Sequence, residues 1–283
     1  MKELINVIVP VHQSEAFLNR CLESIASQTY ENIRVILVEN GSTDNSRALC
    51  ERWTKKDERF ELLVLKDISG AGPARNAGLE QIEYSNGFLA FVDSDDYLHP
   101  TYLEYLYDLL RRNDADFSWC GVHNTFEKEK MDFDDLSEKD DEYLISGKKL
   151  LMREELRVMY SMVWGKLFKN GLWENVRFDP KYKYYEDGGT TFKVIYNADR
   201  VAISQRKLYN YFYSDNSSIR SSVSERKLRD GIETEIDKIK FYKKKLNRIT
   251  QNSDSDTALI DSLQRKVSTL EIALENALKD KNQ

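Results

Sequence analysis

Asp93, Asp95 and Asp96 put three carboxylates within four positions, with Ser94 between them. They directly follow the apolar run Phe88-Leu89-Ala90-Phe91-Val92, which reads as a buried strand. Carboxylates crowded at a strand end repel one another, and burial makes them harder to ionise. A hard divalent cation held by oxygen offsets that cost. At a strand end of an α/β sheet, such a cation suits a phosphate-bearing ligand. A nucleoside diphosphate is itself anionic, so Mg2+ or Mn2+ would bridge it to the carboxylates and stabilise the departing diphosphate. The competing reading is an Asx-turn that caps the helix starting near Pro100.

Two other loops carry polar chemistry. Glu39-Asn40-Gly41-Ser42-Thr43-Asp44 closes an apolar run and fits a tight turn with a helix cap. It also fits a nucleoside pocket, with Asn40 facing a base and Glu39 supporting it or the ribose. Gly70-Ala71-Gly72-Pro73-Ala74-Arg75-Asn76-Ala77-Gly78 joins small residues to one cation. Its helix start offers free N–H donors, and Arg75 can pair with a phosphate or with Asp93 or Glu39. No GxGxxG follows the first apolar run, so a dinucleotide fingerprint is absent.

These loops need elements to hold them. Strand patterns at 4–10, 33–38, 60–65 and 87–92 alternate with helix patterns at 16–27, 44–57 and 70–82. Continuous apolar runs separated by helices predict a mostly parallel sheet covered on both faces, with the polar loops converging beyond the carboxyl ends of its strands. Beyond Pro100 the spacing predicts a helix over 101–113, a strand over 116–126, an acidic loop over 127–142 and helix over 147–175. A further helix lies within 182–199 and a strand over 200–213. Residues 223–283 read as two helices joined at 250–253. In the second, Ile260, Leu263, Val267, Leu270, Leu274 and Ala277 recur at heptad spacing. That stripe suits packing on its own chain or a homodimer, and Lys243-Lys244-Lys245 reads as a solvated face.

The 283 residues suffice for one α/β domain with an appendage. A net charge of −6 disfavours nucleic acid as a partner. Three widely spaced cysteines fit reduced thiols and a cytoplasmic setting. The amino terminus runs into a strand without a leader pattern. No apolar run approaches the roughly 20 residues of a membrane span, so membrane contact would be peripheral.

Together, Val7-Ile8-Val9-Pro10-Val11-His12, Gln28-Thr29-Tyr30, Val38 through Ser46, Ala74-Arg75-Asn76-Ala77-Gly78-Leu79 and Phe91 through Tyr97 resemble the ordered motifs of family-2 glycosyltransferases of the GT-A fold. The resemblance spans roughly 4–215 and is densest over 4–100. It implies a Rossmann-like sheet covered by helices, a nucleotide-sugar donor (usually a UDP-sugar), a divalent metal and inversion at the anomeric carbon. By position it implies that Pro10, His12, Glu39, Asn40, Arg75, Asp93 and Ser94 bind the donor. Asp95 becomes the direct metal ligand, with Asp93 beside it, and Asp96 takes a structural role. Glu39-Asn40 departs from the usual pair of aspartates, which leaves purine nucleotides less firmly excluded.

Inversion in one displacement needs a carboxylate opposite the leaving group to take the acceptor's proton. By resemblance this is Asp187 in Tyr184-Tyr185-Glu186-Asp187-Gly188, with Glu186 as the fallback; the competing reading is a helix N-cap. Trp164-Gly165-Lys166 resembles a segment beside the acceptor pocket, although Trp164 equally suits a core. Tyr209, Tyr211 and Tyr213 fit either a sugar-stacking wall or strand packing. The implied reaction transfers a hexose such as galactose or glucose to a glycan, lipid-linked or glycoprotein acceptor. A nucleotidyltransferase would need a Gly-rich basic loop after the first strand, and residues 10–15 are not one. A non-catalytic nucleotide-sugar-binding scaffold is the remaining alternative.

Overall fold

The computed structural model describes residues 2–66, 70–126, 141–213, 224–251 and 257–280. Most of the acidic loop at 127–142, the boundary expected at 222 and part of the link at 250–253 lie outside the described residues.

The first half is a regular β/α alternation: β1 (Ile5–Val11), α1 (Glu15–Ala26), β2 (Ile33–Glu39), α2 (Ser46–Lys56), β3 (Phe60–Val64), α3 (Ala71–Leu79) and β4 (Phe88–Phe91). β3, β2, β1 and β4 lie side by side and parallel. Their apolar runs are buried on both faces. In β1, Ile5, Val7, Val9 and Val11 enter one core with Leu18, Leu22 and Trp53, while Ile8 enters the other with Ala74 and Leu79. The period-two alternation of a strand thus serves two cores.

The second half is mixed. It comprises β5 (Tyr97–Leu98), α4 (Tyr102–Arg112), β6 (Phe117–Thr125), β7 (Tyr143–Ile145), α5 (Gly147–Leu150), α6 (Arg157–Ser161), β8 (Lys166–Lys169), α7 (Thr191–Asn197) and β9 (Val201–Phe212). β8 lies antiparallel between β4 and β6; β9 runs parallel to β6 and antiparallel to β5 and β7.

The helix expected over 147–175 is therefore corrected. Only two short helices and two 3-10 turns form there, and between them the chain turns through Gly165 at φ 71° into β8. That left-handed conformation suits glycine and breaks a helix. Leu167 faces one core and Phe168 the other, so this apolar run belongs to a strand buried on both sides.

Two long helices follow, α8 (Glu225–Gln251) and α9 (Thr257–Asp280). Leu263, Val267 and Leu270 are buried with Ile239 and Tyr242 in the second core, and Leu274 packs against it. The heptad stripe is covered by its own chain over these positions. The Ala277 side chain lies outside the described residues.

Candidate active site

The site is assembled around one guanidinium. α3 consists largely of small residues, and a Cβ at Gly78 would come 2.7 Å from Ile8 Cγ2, so glycine lets the helix lie flush on β1. Arg75, one turn earlier, is left 3 % exposed. Its Nη2 donates to Asp93 Oδ1 at 2.7 Å; its Nη1 donates to Asp187 Oδ1 at 2.7 Å and Glu186 Oε1 at 2.9 Å. The guanidinium lies 5.5 Å from the Phe178 ring centre. Burial opposes its charge, but Asp187, Asp93 and Glu186 outweigh that opposition. Of the two ion-pair partners considered for Arg75, Asp93 is the one found, and two carboxylates from more than a hundred positions away join it.

The aspartate turn divides its labour. Asp96 is fully buried; its Oδ2 accepts the Tyr209 hydroxyl at 2.6 Å and its Oδ1 the Phe212 N–H at 2.8 Å. Burial and then its acidic neighbours push its pKa well up. Both of its oxygens are occupied by structural partners. Asp93 is partly exposed beyond its bond to Arg75. Asp95 makes no side-chain hydrogen bond or ion pair among the described residues; its backbone carbonyl accepts from Arg20 Nη2 at 2.8 Å. Burial and then the charge of Asp93 push its carboxyl to about 6.

Among the described residues no group of three His, Cys, Asp or Glu stands ready for a metal. The donors on offer are the hard carboxylate oxygens of Asp93 and Asp95, two residues apart on one turn. That set fits Mg2+ or Mn2+, which take one or two carboxylates and complete their shell with water and substrate phosphate.

Across Arg75, Asp187 sits four residues before α7, and its side chain does not cap that helix. Its backbone carbonyl accepts the Thr190 and Thr191 N–H groups, while its Oδ2 accepts the Val163 N–H at 3.3 Å. Burial pushes its carboxyl up to about 7; Arg75 pulls it down, and Glu186 and Asp93 push it further up. A carboxyl poised there is matched to accepting a proton near neutrality.

The polar ends of β1 and β2 are knitted together. His12 is exposed, and its Nδ1 lies 2.9 Å from the Asn40 carbonyl. Glu39 Oε1 accepts the Ser42 N–H at 2.5 Å and closes the turn. Asn40 Nδ2 donates to the Gly70 carbonyl at 3.2 Å, tying β2 to the start of α3. Pro10 lies half-buried beside Val38 near the end of β1. Ser94 Oγ lies 2.6 Å from Ser14 Oγ, which links the aspartate turn to the loop after β1. The four strand-end loops do converge.

Trp164 stacks on Tyr209 (4.8 Å, 10°) and Tyr211 (5.4 Å, 18°), making one aromatic layer. Tyr209 is fully buried in that layer, so its ring forms no open wall for a sugar. Lys166 is fully buried. Its ammonium donates to the carbonyls of Met159, Met162 and Trp164, and burial lowers it to about 7. It thereby ties down the 159–164 segment, which also carries the Val163 N–H to Asp187.

Residues 6–168 match the family described as Glycosyl transferase family 2, which is more than half of the chain. The chain is a family-2 glycosyltransferase. Its relatives include glycosyltransferase GlyG of Streptococcus pneumoniae serotype 4, 29 % identical over the whole chain and 89 % of that protein. GlyA of the same organism is 35 % identical over 73 % of this chain, which spans only 30 % of GlyA's length. The fold is the GT-A fold. Staphylococcus aureus TarS 1-349 in complex with UDP-GlcNAc superposes with a TM-score of 0.72 at 21 % identity, covering 96 % of this chain and 73 % of that one. The mannosyltransferase PcManGT of Pyrobaculum calidifontis, in complex with GDP-Man and Mn2+, superposes with a TM-score of 0.59 at 15 % identity, covering 99 % and 73 %.

Sequence reasoning on this glycosyltransferase missed Arg20 and the bond from the Tyr209 hydroxyl to Asp96. Arg20 is buried, with its guanidinium 4.6 Å from the Tyr97 ring centre. Its signal was a cation on the apolar stripe of α1, three residues after Phe17 and four before the buried Ser24. No helix among the described residues is long and apolar enough to cross a membrane.

Proposed function

We propose that this glycosyltransferase moves a sugar from a UDP-sugar to a hydroxyl of a glycan or glycoconjugate acceptor, with inversion, in bacterial surface-polymer synthesis. One observation carries the reading. Arg75 bonds Asp93, at the end of the first four strands, and Glu186 and Asp187, from the second half of the chain, through one guanidinium. A single displacement needs that arrangement: leaving-group stabilisation on one side and a proton acceptor on the other. In this reading Asp187 takes the acceptor's hydroxyl proton, and Glu186 shares the Arg75 charge. His12, Asn40 and the turn closed by Glu39 flank the base, while Asp95 and Asp93 hold Mn2+ or Mg2+. The metal, when bound, supplies positive charge against the diphosphate oxygens. The segment of Trp164 and Lys166 borders the acceptor.

The UDP preference is supported by the likeness to TarS, which was solved with UDP-GlcNAc, and the metal by PcManGT, solved with Mn2+. The surface-polymer setting is supported by the minor teichoic acid biosynthesis protein GgaA of Bacillus subtilis, 25 % identical over 93 % of this chain and 55 % of that protein. Three buried, unpaired cysteines suit the cytoplasm.

Titration calorimetry with UDP, with and without Mn2+, tests the donor side. Binding should strengthen with metal and lose that gain in Asp95→Ala; metal-independent binding of UDP would remove Asp95 from the role. A panel of UDP-, GDP- and dTDP-sugars then reports the donor, with a UDP-hexose or UDP-N-acetylhexosamine expected to turn over fastest. A chain that binds UDP but turns over none of them would be a scaffold.

A further inference from the structure

The segment before Asp187 has an unusual backbone. Tyr185 adopts φ 61° although it is not glycine. Its ring is 44 % exposed, so burial of that ring does not enforce the conformation. Left-handed backbone at a bulky residue persists only where its surroundings over-determine it.

Those surroundings come from one face of α8. Asp230 is 2 % exposed, and its Oδ2 accepts two consecutive backbone N–H groups, Lys183 at 2.9 Å and Tyr184 at 3.1 Å. Its Oδ1 lies 2.8 Å from Arg226 Nε one helical turn earlier. Gly231 packs under the Tyr185 ring: a Cβ there would meet Tyr185 Cε2 at 3.3 Å. Thr234 Cγ2 would lie 3.1 Å from a Cβ on Gly189. Asp237 Oδ2 accepts the Tyr182 hydroxyl and lies against Lys181 Nζ, both at 2.7 Å. Positions 230, 234 and 237 recur at helical spacing and so share a face. They hold residues 181–189 from the amino-terminal side, while α7 holds the other end through the Asp187 carbonyl.

We infer that Asp230 is a positioning residue. It fixes the backbone before Tyr185 so that Glu186 and Asp187 meet Arg75, and α8 is thereby part of the catalytic apparatus rather than an appendage. A carboxylate suits this task because one oxygen accepts two adjacent amides and its charge strengthens both bonds. The inference rests on Asp187 being the base.

Asp230→Ala, Asp230→Asn and Gly231→Leu test it, with Asp187→Asn as reference. The substrate is whichever of UDP-glucose, UDP-galactose and UDP-N-acetylglucosamine the native chain hydrolyses fastest with Mn2+. Asp230→Ala should lower kcat at least tenfold with donor KM within twofold, and should speed exchange of the Lys183 and Tyr184 amides. Asp230→Asn retains an acceptor oxygen and should recover most of both. Gly231→Leu keeps a good helix former but occupies the space of the Tyr185 ring, so kcat should fall while the melting temperature holds. A native kcat in Asp230→Ala, or amide exchange unchanged there, overturns the inference. So does a fall in kcat that always accompanies lost UDP affinity and lost folding. Full activity in Asp187→Asn would instead overturn the base assignment and leave the exchange result to judge the brace.

Discussion

The two carboxylate turns that meet at Arg75 are held in opposite ways. Asp93–Asp96 is held by the sheet itself: it continues β4, and Asp96 is locked by Tyr209 and Phe212 of β9. The turn at Tyr184–Gly188 belongs to no strand and takes its shape from α8 and from the backbone bonds that begin α7. The first turn uses a buried acid as a fastener; in the function proposed above, the second presents its acids as reagents. Burial raises the carboxyl pKa of Asp96 in the first turn and of Asp187 in the second, but Asp96 is closed off by Tyr209 and Phe212, whereas Asp187 shares Arg75 where the two turns meet.

The largest effect should come from the residue that joins the turns. Arg75→Ala leaves Asp93, Glu186 and Asp187 without their shared cation, at a cost of roughly 3–5 kcal/mol for breaking a buried ion pair. Urea denaturation and turnover should fall together, and a variant of native stability would show the two turns to be independent. Next, Asp187→Asn should lower turnover by about 10²–10⁴ with the fold retained. Asp96→Ala should instead cost about 1–3 kcal/mol of stability, because two buried donors lose their acceptor. Reversal of that pair of outcomes would invert the comparison.

A smaller effect is expected from pH. The base must be unprotonated, so kcat/KM should fall as pH drops below about 7, the value to which burial raises Asp187. Arg75 from α3, Glu186, Asp93 and Lys166 of β8 face it and set that position. A profile flat from about pH 5 to 8 would move the base elsewhere. The same shift bears on stability. Asp187 and Asp95 titrate in the folded state above the unfolded value of about 4, at about 7 and about 6. The native state therefore holds extra protons between those values, and stability should decline as pH rises through that window. The smallest effect belongs to Tyr209→Phe. It removes one hydroxyl that donates to Asp96 and accepts the Asp93 N–H. A loss of about 1–2 kcal/mol with turnover within a few-fold should result, and a collapse of turnover would make the fastener part of the reagent.

The difference between the turns also marks what could be read from the chain alone. The first four strands, their order of motifs and the convergence of the loops after them were legible because a parallel β/α unit writes its own signals: continuous apolar runs, helix periodicity and polar strand ends. Asp93, Asp95 and Arg75 were visible for the same reason. Beyond Pro100 the pattern misled. In β8 the adjacent Leu167 and Phe168 enter opposite cores, so the segment lacks polar–apolar alternation, and it read as helix. β5 has two residues and forms only because β9 lies beside it. Asp187 was found through resemblance, and no local pattern distinguished a base from a cap.

The tertiary structure alone decided which partner each carboxylate takes. That depends on partners far along the chain: Tyr209 for Asp96, and Arg75 for Asp187. It also brought the tail against the candidate site, where Asp230 accepts the 183–184 amides across 46 or 47 positions of sequence. Local sequence fixes propensity and periodicity over a few turns of chain. Burial, and with it the charge state of an acid, is set by whatever the fold brings alongside.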